Sequence, residues 1–571
     1  MIVKNEIEEI LKNAFVKSGF DKDLVLCSYS SRPESCDYQC NSAFAVSKKY
    51  NINPKIVAET IIKNIESDDY EFLFSAPAFI NIKINNNKLT MLANSINSSP
   101  SLLVEQTKTP QKILLDYGGA NIAKELHIGH LRSPLIGESI NRLLKLVGNT
   151  CVSDSHLGDW GLQMGTTIAQ LEEDGYLDYY FGKSKVKKDI TLESLNEEYP
   201  KGSKRIKVDE AFKDKVDSYT LLLQQKASPY YEIFKEIREI SVKTISKNYA
   251  KLNCFFTYFY GESDADPYIE RTVNIFKEKG LTRISEGALV VDVVREDDTE
   301  PMPPAILKKH NGGDLYATTD LATILLRNET EKPDTIIYVV DKRQELHFKQ
   351  VFRAAKLSGI SPANQKLVHI AYGTMNGTDG KPFKTRSGET IKLEDIISML
   401  TTKAKEKLSQ NGIENDDKLA LQIGVASMKF GDLSNTYDKD YVFNIDKFCS
   451  FEGKTGPYLQ YTSARIKSLL SKAEDKYDKI EITTNDERNI ILCLLKLLDS
   501  YEFASKDYSL NTVCLAVYNL ASSYATFYNN FKILTCEDSK KRKSALALSS
   551  LTLKAISQAL DVLAIDIPDR M

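Results

Sequence analysis

The sequence is poor in cysteine, tryptophan and histidine, and these shortages exclude several classes of protein. Nine cysteines, six histidines and one tryptophan are spread over 571 residues. No C-x-x-C pair occurs, and the closest cysteines, Cys36 and Cys40, have no second pair of metal ligands near them in the sequence. We therefore expect reduced thiols, no structural zinc and no resident metal site.

The chain also lacks net charge and long apolar runs. Its 75 Lys and Arg residues balance 78 Asp and Glu residues, so the formal charge is −3 and any site for a polyanion must be a local patch. No window has the roughly 18 uncharged apolar residues that a membrane span needs. The chain begins in an acidic amphipathic stretch instead of a targeting peptide. We expect a cytoplasmic chain, a monomer, with no membrane partner.

The pattern of predicted helices and strands changes along the sequence, and this change predicts several domains. Spacing predicts a helix from Ile2 to Phe15 and strands at 71–74 and 79–84. We predict four regions: an α+β module at residues 1–105, an α/β domain at 106–400 with a helical annex at about 168–250, a connecting region at 401–449, and a helical bundle at 450–571.

Short apolar runs predict the sheet of the second region. The runs lie at 112–117, 289–294, 336–340 and 367–370, and helical patterns separate them. A parallel strand is buried on both faces and reads as such a run. The alternation of strands and helices therefore predicts an α/β fold with a doubly wound parallel sheet.

The strongest chemical signal is His127-Ile128-Gly129-His130, which follows the first predicted strand and opens a helix that runs to Leu146. Histidines three residues apart share one helical face. A helix N-terminus offers free N–H groups to phosphate, and Gly129 lets a ligand approach the backbone. The pattern favours a triphosphate site in which the imidazoles stabilise charge at the α-phosphate. The alternative is a pair of capping or packing histidines.

With this motif the sequence resembles the arginyl-tRNA synthetases, a family of class I aminoacyl-tRNA synthetases. The resemblance rests on H-I-G-H and on further blocks in family order: Asp116–Glu125, His156–Gln163, Leu315–Ala322, Lys381–Gly388, Phe451–Tyr461 and Asp569–Met571. It implies a Rossmann-like catalytic domain at residues 106–400, an N-terminal module at 1–105 that contacts tRNA, a connecting region at 401–449 that contacts the tRNA stem, and a C-terminal anticodon-binding bundle at 450–571. The implied activity joins L-arginine to tRNA(Arg) at the expense of ATP, through arginyl-adenylate, with Mg²⁺ accompanying the ATP.

The resemblance also implies residues for arginine. The amino-acid site is implied at Gly119, Ala120, Asn121 and His130, and the side-chain pocket at Tyr316, Asp320 and Gln344. A carboxylate such as Asp320 can accept a guanidinium as a two-pronged fork, whereas an ammonium is only a point charge. From the residues alone, Asn121 can equally be a helix cap, and Asp320 and Tyr316 a surface acid and a core ring.

For ATP, the resemblance implies His127, Gly129, His130, Gly373, Met375 and Lys384, with His127, His130, Lys384 and Lys124 as the catalytic groups. The second nucleotide loop departs from the class pattern K-M-S-K-S, because residues 382–386 read Pro-Phe-Lys-Thr-Arg. We expect Lys384 to reach the phosphates and Lys124 to share that task. A solvated basic loop is the alternative.

For tRNA, aromatic and basic residues of the last region are candidates, because unpaired bases stack on such rings. They are Tyr458, Tyr461, Arg465, Tyr518, Tyr524 and Tyr528. The alternative for each is a place in the helical core. No role is assigned to Trp160 or its loop.

Two other functions remain open at the level of sequence. Another H-x-G-H enzyme is one, although a cysteinyl enzyme needs zinc ligands and a small nucleotidyltransferase does not need the helical region. A non-catalytic RNA-binding relative is the other. It is expected to have lost His127, His130 or Asp320, and all three are present.

Overall fold

The structure is a computed structural model that describes residues 2–30, 32, 34–309, 316–377, 380, 391–410, 412–414, 416–477 and 479–571, without the side chains of Ile2 and Tyr316. Its chain forms two compact units. The first comprises Met1–Gln106, Leu459–Leu560 and Ile567–Met571, and the second Thr107–Tyr458 with Asp561–Asp566. The four regions drawn from the sequence stay predictions.

The first unit begins with an α+β module. Its elements are α1 (Ile2–Lys17), β1 (Cys27–Tyr29), β2 (Tyr38–Cys40), α2 (Ala43–Tyr50), α3 (Pro54–Lys63), β3 (Tyr70–Ser75), β4 (Phe79–Ile84) and α4 (Asn86–Ser98). The strands form an antiparallel sheet in the order β1-β2-β4-β3. Inward residues of β4 such as Ile80 and Ile82 are buried, as the period-two alternation requires. The predicted helix and both predicted strands are confirmed.

The second unit alternates strands with helices. Its elements are β5 (Lys112–Asp116), α5 (Arg132–Leu146), β6 (Thr150–Asp154), α6 (Leu162–Glu173), α7 (Leu192–Arg205), α8 (Glu210–Gln224), α9 (Tyr230–Lys251), α10 (Glu262–Glu278), β7 (Thr282–Ser285), β8 (Ala288–Val291), β9 (Ala305–Lys308), α11 (Tyr316–Thr330), β10 (Thr335–Asp341), α12 (Glu345–Ser358), β11 (Lys366–Tyr372), β12 (Met375–Asn376), α13 (Leu393–Gln410), α14 (Asp417–Leu433), β13 (Tyr441–Val442) and α15 (Ile445–Phe448).

A parallel sheet organises this unit, in the order β11-β10-β5-β6. Ile113 pairs with Cys151 on one side and with Thr335 on the other, and all neighbours run parallel. Leu114 and Leu115 are fully buried because helices cover both faces of the sheet. The α/β class and three of the four predicted strand positions are therefore confirmed.

The structure corrects part of the prediction for the apolar run at 289–294. Its first residues form β8, but β8 belongs to a separate antiparallel sheet in the order β7-β8-β9. Glu286 and Gly287 both have positive φ, 51° and 78°, in the turn between β7 and β8. Such a tight turn joins antiparallel neighbours only, so the run cannot enter the parallel sheet directly.

Helices dominate the rest of the chain. The predicted annex contains α6 to α9, and the C-terminal part contains α16 (Gly456–Ser471), α17 (Asn485–Asp507), α18 (Leu510–Asn530) and α19 (Ser539–Val562). One face of α18 is buried through Val513, Val517, Leu520 and Phe527, as its spacing predicts. Among the described helices, none is both long and apolar enough to cross a membrane.

Candidate active site

A cavity of about 560 Å³ opens at the carboxyl ends of the parallel strands of the second unit. This edge is where ligands bind in open α/β sheets. The wall includes the last residue of β5, the last residues of β10 and the first turns of α10 to α12. It brings together most of the residues predicted for arginine and two predicted for ATP: Gly119, Ala120, Asn121, Gly129, His130, Asp320 and Gln344.

The loop after β5 forms one wall because two segments approach each other closely there. A Cβ atom on Gly119 would lie 2.6 Å from the carbonyl oxygen of His156, so this backbone approach requires glycine. Asn121 pairs with Gly158 in a parallel bridge, and the Gly158 N–H donates to the carbonyl of Ala120 over 3.0 Å. These contacts fix Gly119, Ala120 and Asn121 at the cavity.

The H-I-G-H segment forms a short 3₁₀ turn before α5. The backbone N–H of Gly129 donates to Nδ1 of His127, and the N–H of His127 donates to Nδ1 of His130, both over 3.1 Å. A ring nitrogen that accepts a hydrogen bond carries no proton, so both neutral imidazoles carry theirs on Nε2. The turn therefore sets both rings, whose centroids lie 4.0 Å apart, as Nε2–H donors.

Burial keeps these rings uncharged. It lowers the pKa of His130 to about 3, with the charges of His127 and Lys124 adding to the effect. Burial and the Lys124 ammonium also lower the pKa of His127. Both groups are neutral donors near pH 7, which suits hydrogen bonding to phosphate oxygens without a fixed positive charge.

Of the two predicted lysines, Lys124 falls within the described residues. Lys124 is exposed and lines a separate groove of about 340 Å³ beside α7. Lys384 lies outside the described residues. Ile391, which follows that gap, accepts a hydrogen bond from the N–H of Ile128 over 3.0 Å, and His127 pairs with Lys392. The chain therefore leaves the gap directly beside the H-I-G-H turn.

Acidic groups cluster at the other end of the cavity. Asp320, on the first turn of α11, is about one quarter exposed, and its Oδ2 lies 2.5 Å from Nε2 of His347. Gln344 is exposed just before α12, and the side chain of Tyr316 lies outside the described residues. Glu262 also lines the wall; burial raises its pKa, as do the nearby charges of Asp159 and Asp320.

Deeper in the wall, one guanidinium joins two strands. Arg327 is fully buried, and its Nη2 contacts Asp116 over 2.7 Å and Asp154 over 2.6 Å. Nδ1 of His156 lies 3.6 Å from Oδ2 of Asp154, too far for a hydrogen bond, and neither ring nitrogen of His156 nor the Tyr338 hydroxyl has a hydrogen-bond partner within the described part of the chain. Both side chains line the cavity, so its floor offers polar atoms to a ligand.

The carboxylates that contact Arg327 are also candidate ligands for a metal ion. Asp116, Asp154 and His156 place one ligand atom each within 4.8 Å of one another, and no other such group occurs among the described residues. Arg327 already contacts both carboxylates, and its positive charge beside them disfavours a second cation. The donor set does not fit a resident metal.

The predicted adenine contacts lie just past β11. Gly373 approaches residues 439–440 so closely that a Cβ would lie 2.5 Å from the Lys439 carbonyl carbon. Its N–H donates to Tyr437, its carbonyl accepts from Arg132, and Met375 is buried. Gly373 and Met375 do not line the cavity, although the adjoining Tyr372 does. Their contact with ATP stays a prediction.

The predicted tRNA residues are separate from this cavity. In the first unit, the Arg465 guanidinium lies 4.1 Å from the centre of the Tyr528 ring, and Tyr461 is 43% exposed. Tyr518 is half-buried, as is Tyr458 in the second unit. Tyr524 corrects the expectation: it is buried and its hydroxyl bonds to Ser549, so its ring belongs to the core.

Several wall residues were not identified from the sequence as site residues, among them the titratable residues Asp116, His156, Glu262 and His347. Asp116 is the last residue of a predicted strand, and strand ends at a sheet edge could have drawn attention to it. His156 lies within a segment that resembles the family, and His347 lies three residues after the predicted Gln344. Glu262 has no local signal, because only the fold brings the start of α10 to the cavity.

Comparison with known proteins agrees with this geometry. Residues 93–445 match a family model described as tRNA synthetases class I (R), catalytic domain. Residues 459–571 match the DALR anticodon binding domain, and residues 1–84 match the arginyl tRNA synthetase N terminal domain.

Individual relatives match over the whole length. An arginine–tRNA ligase of Agathobacter rectalis is 40% identical over 592 residues, 99% of each chain, and one of Alkaliphilus oremlandii is 40% identical over 582 residues, also 99% of each. The crystal structure of arginyl-tRNA synthetase from Plasmodium falciparum superposes with a TM-score of 0.83 and 25% identity, covering 100% of this chain and 99% of that one. The chain therefore belongs to the arginyl-tRNA synthetase family, the class I enzymes that are arginine–tRNA ligases.

Proposed function

We propose that the cavity at the carboxyl edge of the parallel sheet is where this arginine–tRNA ligase binds L-arginine and ATP and joins them. One observation carries the proposal: the Asp320 carboxylate, the Gly119–Asn121 loop and the His130 imidazole line a single cavity. Its volume of about 560 Å³ suits small-molecule ligands.

Arginine binds with its guanidinium at the acidic end. Asp320 accepts the planar cation as a fork, and Gln344 lies on the same wall. Glu262 supplies a second carboxylate, and the Tyr338 hydroxyl, which has no hydrogen-bond partner among the described residues, is a further polar atom of the wall. The α-carboxylate and α-amine then point toward Gly119, Ala120 and Asn121. Tyr316 keeps its predicted contact with the side chain.

ATP binds beside the H-I-G-H turn. An oxygen of the arginine carboxylate attacks the α-phosphorus, the bond from that phosphorus to the bridging oxygen breaks, and pyrophosphate leaves. His127 and His130 donate their Nε2–H groups to the phosphates, Gly129 permits close approach, and Lys124 and Lys384 balance the charge of the leaving group. Gly373 and Met375 border the adenine.

Mg²⁺ enters with ATP, held largely by phosphate oxygens and water. Support comes from the donor set, since the acidic group at Asp116 and Asp154 is occupied by Arg327. In the second step, the 2′-hydroxyl of the terminal adenosine of tRNA attacks the arginyl carbonyl and AMP leaves. The protein orients these groups and forms no covalent intermediate.

Apart from its terminal adenosine, the tRNA is bound outside the cavity. Tyr461, Arg465, Tyr518 and Tyr528 offer rings and a cation at the helical surface of the first unit, and Tyr458 lies in the second. Because its substrate is tRNA, we expect the enzyme to act in the cytoplasm. A monomer stays a prediction, which light scattering after size-exclusion chromatography can test.

An aminoacylation assay tests the proposal. The full chain, ATP, Mg²⁺ and total tRNA are incubated with radiolabelled arginine, and lysine or citrulline is added as competitor. Citrulline is the neutral isostere of arginine and lysine carries a point charge, so neither is expected to inhibit at tenfold excess. Charging of tRNA with arginine supports the proposal; inhibition by citrulline as strong as by unlabelled arginine contradicts it.

A further inference from the structure

We propose that His347 is a positioning residue for arginine recognition, which holds the Asp320 carboxylate as a neutral donor and weakens arginine binding when it is protonated. The pair joins α11 to α12 across 27 residues of sequence, with Nε2 of His347 2.5 Å from Oδ2 of Asp320. Both side chains are about one quarter exposed, His347 at 25% and Asp320 at 26%. This role rests on the proposed contact between Asp320 and the guanidinium.

The position of His347 is set by its neighbour Phe348. The Phe348 side chain is buried, and its ring lies 5.0 Å from that of Tyr338 and 4.7 Å from that of His369. The His347 ring meets Phe348 edge-on at 78°, with centroids 5.4 Å apart. The first turn of α12 is therefore anchored to β10 and β11, and it holds the imidazole against Asp320.

A fixed donor matters here because aspartate rotates easily about its terminal torsion. A guanidinium fork needs the plane of the carboxylate in one orientation. A hydrogen bond from His347 to Oδ2 restricts that rotation, while Oδ1 and a second lone pair of Oδ2 stay available to arginine. The neutral imidazole does this without adding charge.

Protonation of His347 weakens the interaction between the Asp320 carboxylate and the arginine guanidinium. An imidazolium at the same place puts a positive charge next to the carboxylate that the guanidinium needs, so the two cations compete for one anion. Arginine affinity is therefore expected to fall as the pH is lowered.

Other titratable groups surround the pair and are part of the same electrostatic field. Glu262 of α10, Asp341 at the end of β10 and the buried Asp116 share the cavity wall. His369 of β11 packs against Phe348. Burial lowers the pKa of His369, and His347 adds to this lowering. The carboxylates of Glu345 and Asp341 oppose it, but the net shift is downward. Arg343 is bound to Asp341 over 2.8 Å. The variants below separate His347 from these groups.

The test is the KM for arginine, at saturating ATP and tRNA, from pH 5.5 to pH 8.5. For the wild type we expect a rise of about tenfold toward acid pH. His347→Gln keeps an amide donor that cannot be protonated, so its KM should match the wild type at pH 8 and stay within threefold down to pH 5.5. His347→Leu lacks the donor, so its KM for arginine should be at least tenfold higher at pH 8 with an unchanged KM for ATP.

His369→Gln is the matched control, because it removes the neighbouring imidazole. In this variant the KM for arginine should still rise toward acid pH as it does in the wild type. Calorimetric binding of arginine to the same proteins repeats the comparison without turnover. The inference is overturned if His347→Gln follows the wild-type pH profile, or if His347→Leu binds arginine as the wild type does at pH 8.

A wrong assignment of the arginine site and a wrong role for His347 would give different results. Asp320→Ala with normal arginine binding overturns the assignment of the pocket, and this inference with it. Asp320→Ala that fails to bind arginine, combined with a His347→Gln profile that copies the wild type, overturns the role of His347 alone.

Discussion

The guanidinium of Arg132 forms a 2.9 Å ion pair with the carboxylate of Asp432 inside the second unit, where both side chains are almost fully buried. Nη1 of Arg132 also donates to the Gly373 carbonyl over 2.6 Å, and the Tyr441 hydroxyl donates to Asp432 over 2.8 Å. This network joins the helix that follows H-I-G-H to the segment after β11.

Arg132→Met should therefore destabilise the second unit by about 3–5 kcal/mol, because it leaves the buried carboxylate of Asp432 without its charge partner. Urea unfolding followed by fluorescence measures this. Trp160 is the single tryptophan of the chain and is buried in the second unit, so its emission reports that unit. Arg283→Met is the control: its ion pair with Asp292 is exposed, and no shift of the midpoint is expected. Equal midpoints for both variants would contradict the expectation.

Protonation of His130 should link stability to pH. Below about pH 6.5 the unfolded chain binds a proton at this residue, whereas the folded chain binds it only near pH 3. Stability contributed by the neutral ring is thus present above pH 6.5 and is lost as the pH falls. His130→Asn removes this proton difference, so between pH 6 and pH 5 its stability should decline less steeply than that of the wild type, by up to about 1.4 kcal/mol per pH unit. Parallel curves in Trp160 fluorescence would count against the neutral imidazole.

Gly119→Ala should reduce kcat/KM for arginine at least tenfold. The added Cβ would lie 2.6 Å from the backbone carbonyl of His156, so the loop that carries Asn121 must move. Gly161→Ala is the matched control from the neighbouring segment, since its Cβ would meet nothing within 4 Å. Aminoacylation kinetics measure both, and equal losses in the two variants would show that close approach at Gly119 is not required.

The surface around Tyr528 should affect tRNA alone. Replacing Tyr528 by Leu removes the ring on which Arg465 lies, so the KM for tRNA should rise by about tenfold with the KM for arginine unchanged. Phe503→Leu, at an exposed aromatic of α17, should leave both constants unchanged. A Tyr528 variant with a normal KM for tRNA would remove this ring from the proposed surface.

The central strand and the H-I-G-H segment of the site could be predicted, because the patterns that indicate them lie within short stretches of sequence. The apolar run at 112–117 predicts a parallel strand buried on both faces, and the H-I-G-H spacing predicts a helix start with both imidazoles on one face. In the structure the segment is a 3₁₀ turn, and α5 begins at Arg132. The run at 289–294 shows the limit of such reasoning. Burial makes parallel and antiparallel strands look alike, and only the Glu286-Gly287 turn decides between them.

The acidic end of the cavity was less accessible from sequence. Asp320 could be named from its segment, but its pairing with His347 depends on how α11 and α12 meet. Glu262 reaches the wall because α10 begins at the same sheet edge. Such neighbours come from distant elements, so no short-range spacing identifies them. The roles of Tyr316 and Lys384 stay predictions.

The most direct measurement is calorimetric titration of the full-length chain with L-arginine, for the wild type and Asp320→Ala. Loss of the carboxylate removes the charge partner of the guanidinium, so affinity should fall at least 100-fold, which is about 2.7 kcal/mol or more. Folding of the variant is checked by Trp160 fluorescence. An affinity for arginine within threefold of the wild type would contradict the assignment of this cavity to the substrate.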